Sequence, residues 1–102
     1  MPSLAYRFEF DEAVPLAEAE MTLHLAIAAV EGLYGAARVR MDVAYKVKPD
    51  DHAIVVDASS TAGGSLVEVF TSLALREFGD DAVRVRRATH VPAAGKKQGV
   101  SR

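Results

Sequence analysis

The stretch LAYRFEFD, residues 4–11, alternates without a break. Leu4, Tyr6, Phe8 and Phe10 fall on one side and Arg7 and Glu9 on the other. A period of two predicts a strand with one face in a core. The period then lengthens. In PLAEAEMTLHLAIAAVEGLYG, residues 15–35, apolar positions recur every three or four residues, which predicts a helix. Pro15 suits its first turn and Gly35 the position just past its end. Alternation returns in RVRMDVAYKVK, residues 38–48. It predicts a second strand with Val39, Met41, Val43, Tyr45 and Val47 inward and Arg38, Arg40, Asp42 and Lys46 outward. KPDD is a turn. HAIVVDA, residues 52–58, is apolar on both faces, as a central strand is. GGSLVEVFTSLALREFG predicts a second long helix closed by Gly79, and AVRVRR a last short strand.

The resulting order is β-α-β-β-α-β, and its halves echo each other. FEFD and IVVD each precede a helix, the helices end in LYG and EFG, and RVR follows both. Two βαβ units joined by a tight hairpin resemble the ferredoxin-like architecture over residues 4–88. That resemblance implies an α+β two-layer sandwich: an antiparallel four-stranded sheet in the order 4-1-3-2 with two helices on one face. One domain is expected over residues 1–88, with a basic, disordered tail over residues 89–102. Such a fold hosts many unrelated activities, so function has to be argued from sites.

Composition narrows the field. Half the residues are apolar and a quarter charged, as in a globular chain. With no cysteine, disulfides, zinc thiolates, thiol nucleophiles and the Cys-x-x-Cys loop of metal-transport domains are excluded. The expected location is the cytoplasm, with no membrane association, because neither a leader pattern nor a long apolar run is visible. A net charge of −2 argues against nucleic acid as a partner. So does the parity of Tyr6, Phe8, Phe10 and Tyr45, which share the core face and leave no stacking aromatics on the open one.

The topology sorts charge to two edges. One collects Asp11, Glu12, Asp50, Asp51, His52, Asp80 and Asp81, among them six of the fourteen acidic residues. Carboxylates suit hard cations, so Asp11, Asp50 and Asp51 form a candidate metal set. Their placement resembles palm-type nucleotidyl transferases and cyclases, which implies a small metal-dependent enzyme; ordinary turn chemistry explains the same residues. The opposite edge offers a candidate anion site for a phosphate or nucleotide. It consists of Ser59, Ser60, Thr61, Gly63 and Gly64 at a helix start, with Arg38 and Arg86 nearby. The alternative is a plain N-cap at Ser60 or Thr61. On the open sheet face Arg7, Glu9, Arg38, Arg40, Asp42, Lys46, Arg84 and Arg86 surround Ala53 and Val55, a solvated face or a docking face for a protein partner.

The first long helix carries the remaining candidates. At 100° per residue, Leu16, Ala19, Leu23, Ala26, Val30, Leu33 and Tyr34 form an arc expected to face the sheet, with Thr22 on the far side. Glu20 and His24, one turn apart at its border, form a candidate acid–base or metal pair, or merely a boundary hydrogen bond. Beyond them lies a second apolar arc of Met21, Leu25, Ala28 and Gly32. A two-layer sandwich needs only one such stripe per helix. The second predicts self-association, and a homo-oligomeric binding or assembly module without cofactor or catalytic motif is the expected function.

Overall fold

The computed structural model describes residues 4–88. Strand β1 (Ala5–Phe10) is followed by helix α1 (Leu16–Tyr34), a short helix α2 (Ala36–Asp42), β2 (Tyr45–Lys48), β3 (Ala53–Asp57), helix α3 (Thr61–Phe78) and β4 (Val83–Ala88). The four strands form one sheet in the order β2-β3-β1-β4, and every neighbouring pair is antiparallel. Over the described residues the protein is thus α+β, with three helices rather than the two expected. The tail predicted over residues 89–102 lies outside the described residues.

The core fills the space between α1, α3 and one face of the sheet. Phe8, Ile54 and Val56 from the strands meet Leu23 and Val30 of α1 and Leu66 and Phe70 of α3, all of them fully buried. The rings of Phe8 and Phe70 lie 4.5 Å apart and tilted by 50°, a geometry favoured by aromatic quadrupoles. Tyr34 and Ser65 join the two long helices through a 2.9 Å hydroxyl–hydroxyl hydrogen bond. On the opposite face β1 sets Arg7 beside Val55 and Glu9 beside Ala53, while β2 sets Lys46 and Lys48 beside the same two residues. Val55 and Ala53 are buried although no helix of the core layer lies on that side. Long charged side chains whose stems shield small apolar neighbours account for this.

The halves match at their glycines and part company just beyond them. Gly35 (φ 89°, ψ 148°) and Gly79 (φ 91°, ψ 156°) close α1 and α3 in the same positive-φ conformation. Each returns its N–H to the carbonyl four residues back, at 2.8 and 2.9 Å. After Gly79 a single 3₁₀ turn, Asp80–Ala82, leads into β4. After Gly35 the chain instead makes α2, so the strand predicted to begin at Arg38 begins only at Tyr45. Ala36, Ala37, Arg38 and Met41 are good helix formers, and Arg38 pairs with Asp42 one turn on at 3.5 Å. Val39 and Val43 fit a spacing of four as well as one of two, and Val39 is buried. Arg38, Arg40 and Asp42 are therefore on α2 rather than the sheet face, and Met41, expected inward, is 82% exposed.

Helix α1 buries Ala19, Thr22, Leu23, Ala26 and Val30. Two expectations fail at the margin of that face. Thr22 is buried rather than exposed, because its hydroxyl donates to the Glu18 carbonyl at 3.1 Å and needs no water. Leu33 is 72% exposed rather than inward. Its neighbour Tyr34 takes the position facing α3, and Leu33 is turned out with the last helical turn.

Candidate functional site

The second arc of α1 is uncovered. Met21 and Leu25 are 68% and 65% exposed, and Ala28 and Gly32 are exposed with them. A Cβ added to Gly32 would meet nothing within 4 Å. Neither α2 nor α3 reaches the arc, so its apolar area stands in water. Leu33 and Met41 add two further exposed apolar side chains at the C-terminal end of α1 and on α2.

His24 borders this arc. Its Nε2 lies 3.9 Å from a Glu20 carboxylate oxygen, and its ring stands edge-on to Tyr45 of β2 with centroids 6.1 Å apart. The alternation of residues 38–48 puts Tyr45 on the sheet but carries no sign of the helical residue that lies against it. Burial, with the Glu20 charge in second place, holds the Tyr45 hydroxyl above the ordinary phenol range. Glu20, His24 and Tyr45 form a boundary between helix and edge strand.

The acidic edge is gathered by the fold but not into a ligand set. Asp11 accepts the Ala13 N–H at 3.0 Å and turns the chain toward α1. Asp51 lies 3.4 Å from Arg7 and 3.8 Å from Lys48, and Asp50 is exposed. Asp11, Asp80, Asp81, Glu9 and Arg84 line a groove of about 480 Å³. Among the described residues no three His, Asp or Glu side chains are placed to hold a metal ion. His52 has a different task there. It holds a left-handed backbone (φ 53°), and its Nε2–H donates to the Val14 carbonyl at 2.7 Å, locking the β2–β3 turn to the entry of α1. His is enriched at such positive φ positions, the one sequence signal available for it after PDD. His52→Ala is expected to cost about 1–1.5 kcal/mol, the range of one hydrogen bond to a part-buried acceptor. The measurement is a urea titration, and an unchanged midpoint would refute the lock.

The loop before α3 is closed upon itself. Asp57 Oδ1 accepts the Ser59 N–H at 2.8 Å and the Ser59 hydroxyl at 2.6 Å. Ser60 caps α3, accepting the Gly63 N–H at 2.9 Å and donating to the Asp42 carbonyl at 3.0 Å. The Gly64 N–H goes to the Ser60 carbonyl at 2.9 Å. Thr61 is exposed. The candidate cations are paired: Arg38 with Asp42, and Arg86 with Glu9 at 2.6 Å. An anion would share this loop with the Asp57 carboxylate. No contact in the loop favours an anion over the N-cap.

On the open sheet face Glu9 accepts from Arg7 Nε at 2.7 Å as well as from Arg86. The Arg7 hydrogen bond, more than that of Arg86, holds the Glu9 carboxyl below the ordinary range. A carboxylate depressed in this way stabilises the fold above its unfolded pKa, and the contribution is lost as pH falls through the folded value. These pairs tie three strand positions together and leave Arg84 and Lys46 without an ion pair among the described residues.

No helix of the described residues is long and apolar enough to cross a membrane. Compared with known protein families, characterised proteins and solved structures, the chain matches none.

Proposed function

We propose that this chain is a self-associating binding or assembly module that pairs through the outer face of α1. The strand order, read from the other edge as 4-1-3-2, supports describing the sandwich as ferredoxin-like with α2 added after α1. The observation that carries the reading is the exposure of Met21 and Leu25 on a helix whose inner face is already fully employed. Exposed apolar side chains in a contiguous patch mark interaction surfaces, and a two-fold pair using the same patch twice is the commonest way to close one. The proposed location of such a module is the cytoplasm.

Leu25→Glu tests this reading. The position is solvent-facing in the single chain, so the sandwich keeps its fold. Burying Leu25 against a partner is worth roughly 1.5–3 kcal/mol per subunit. The substitution is expected to convert an oligomer into monomers in light scattering while the circular dichroism spectrum and melting temperature of the monomer hold. An oligomer that survives Leu25→Glu places the contact elsewhere.

A further inference from the structure

We infer that the partner of α1 is α1 of a second copy of this chain, packed antiparallel about a two-fold axis passing between Ala26 and Ile27. This rests on the self-association reading and specifies its geometry.

The first argument is size. Residues 21 and 32 are equidistant from that axis, and so are residues 25 and 28. An antiparallel pair therefore sets Met21 against Gly32 of the other copy, a large side chain facing a small one at both symmetry-related places, and brings Leu25 of the two copies side by side next to Ala28. The space above Gly32 is open and Ala28 is exposed, so each large side chain has a recess to enter. Interdigitation of large and small residues is what lets helices approach closely. A parallel pair would instead set Met21 on Met21, with voids between Gly32 and Gly32.

The second argument is charge. Glu20, His24 and Glu31 run along one flank of the arc. In an antiparallel two-fold pair each flank meets its own copy with direction reversed. His24 of one chain then lies within a turn of Glu31 of the other, an imidazole N–H donor opposite a carboxylate. The groups already facing His24 are the Glu20 carboxylate and the Tyr45 ring, and the His24 side chain is still 55% exposed. Glu31 makes no ion pair among the described residues. A parallel two-fold pair would put these flanks on opposite sides of the interface and leave the contact unmade. The macrodipoles add to the same preference, since antiparallel helices set each positive end beside a negative one.

The chain has no cysteine, so introduced thiols report position cleanly. Met21→Cys and Gly32→Cys proteins are mixed under mild oxidation and the disulfide-linked species are weighed by mass spectrometry. The expected product is the mixed Met21→Cys/Gly32→Cys dimer, at least about tenfold over either self-linked species, because residues 21 of the two copies stand about 16 Å apart along the helix in this register. Leu25→Cys alone is expected to self-link, because residues 25 of the two copies stand only about 4.5 Å apart along the helix in this register. His24→Glu sets a carboxylate opposite Glu31 at both symmetry-related contacts and is expected to weaken the dimer about tenfold or more, like charges placed face to face being costly. Adding Glu31→Lys should restore most of that loss. Self-linking of Met21→Cys at the rate of the mixed pair shows a parallel arrangement and overturns the inference. So does a wild-type dimer whose mixed thiols fail to link. A wild type that is monomeric in light scattering removes the self-association reading as well, leaving the arc to an unrelated apolar partner.

Discussion

Gly63→Ala is expected to lower the melting temperature by roughly 10–20 °C, at about 4–8 °C per kcal/mol for a domain of this size. Two terms oppose each other at this helical position. Replacing glycine with alanine in a helix interior gains about 1 kcal/mol from propensity alone. Here, however, the new Cβ would overlap the Asp57 carbonyl oxygen and crowd the Ser60 hydroxyl at 3.0 Å. Both belong to groups held in place: Asp57 ends β3 and its N–H donates to the Ala44 carbonyl, while Ser60 caps α3 and reaches Asp42. The first turn of α3 must move away from the sheet, and overpacking against fixed backbone exceeds the propensity gain, for a net loss of about 2–3 kcal/mol. The control is one residue further on. At Gly64 the nearest atom, the Ala58 carbonyl oxygen, is 4.0 Å from a new Cβ. Gly64→Ala is therefore neutral or stabilising by up to about 1 kcal/mol. Equal effects of the two substitutions in differential scanning calorimetry would contradict this packing.

Phe70→Ala carries the larger loss, about 3–5 kcal/mol. Phe70 is fully buried, with its ring 4.5 Å from Phe8 and 6.3 Å from Phe10. It is the side chain through which α3 holds the centre of β1, so its removal leaves a cavity between helix and sheet that neighbouring rings cannot fill without giving up their own contacts. Total stability of a domain this size is about 5–15 kcal/mol, so the variant should unfold at markedly lower urea. Phe70→Leu, which retains most of the volume, should recover well over half of the loss. A cost below about 1.5 kcal/mol for Phe70→Ala would mean that the core is not centred there.

How far the sequence reveals this protein depends on whether two periods compete. β1 and α1 are legible because each shows one period only, with Pro15 and Gly35 marking the helix ends. A cap at Ser60 or Thr61 and the stop at Gly79 are legible for the same local reasons, and the fold takes Ser60. Residues 38–42 mislead because Val39, Met41 and Val43 satisfy a strand period, while Val39, Val43 and the Arg38–Asp42 pair satisfy a helical one. The choice is made by tertiary contact, with Val39 buried and the Asp42 carbonyl accepting from Ser60. Leu33 and Thr22 mislead for a related reason: a helical wheel fixes which residues share a side but not where the neighbouring helix stops covering it. The arc of Met21, Leu25, Ala28 and Gly32 is legible as an arc because its spacing depends on α1 alone, whereas its exposure follows from where α2 and α3 lie. The role of His52 is not, since its partner Val14 is 38 residues away. Nor is the crowding at Gly63, which arises only once β3 and α3 are folded together.

The central claim, that the outer face of α1 joins copies of this chain, is tested most directly by the mass of the wild-type protein in sedimentation equilibrium across a concentration series. One chain weighs 10.9 kDa. A pair formed through α1 predicts a mass rising to twice that value as concentration passes through the micromolar range expected of a small helix-pair interface, with Leu25→Glu staying at the single-chain mass throughout. A wild-type mass that remains at 10.9 kDa at about 100 µM, a concentration well above that range, would contradict it.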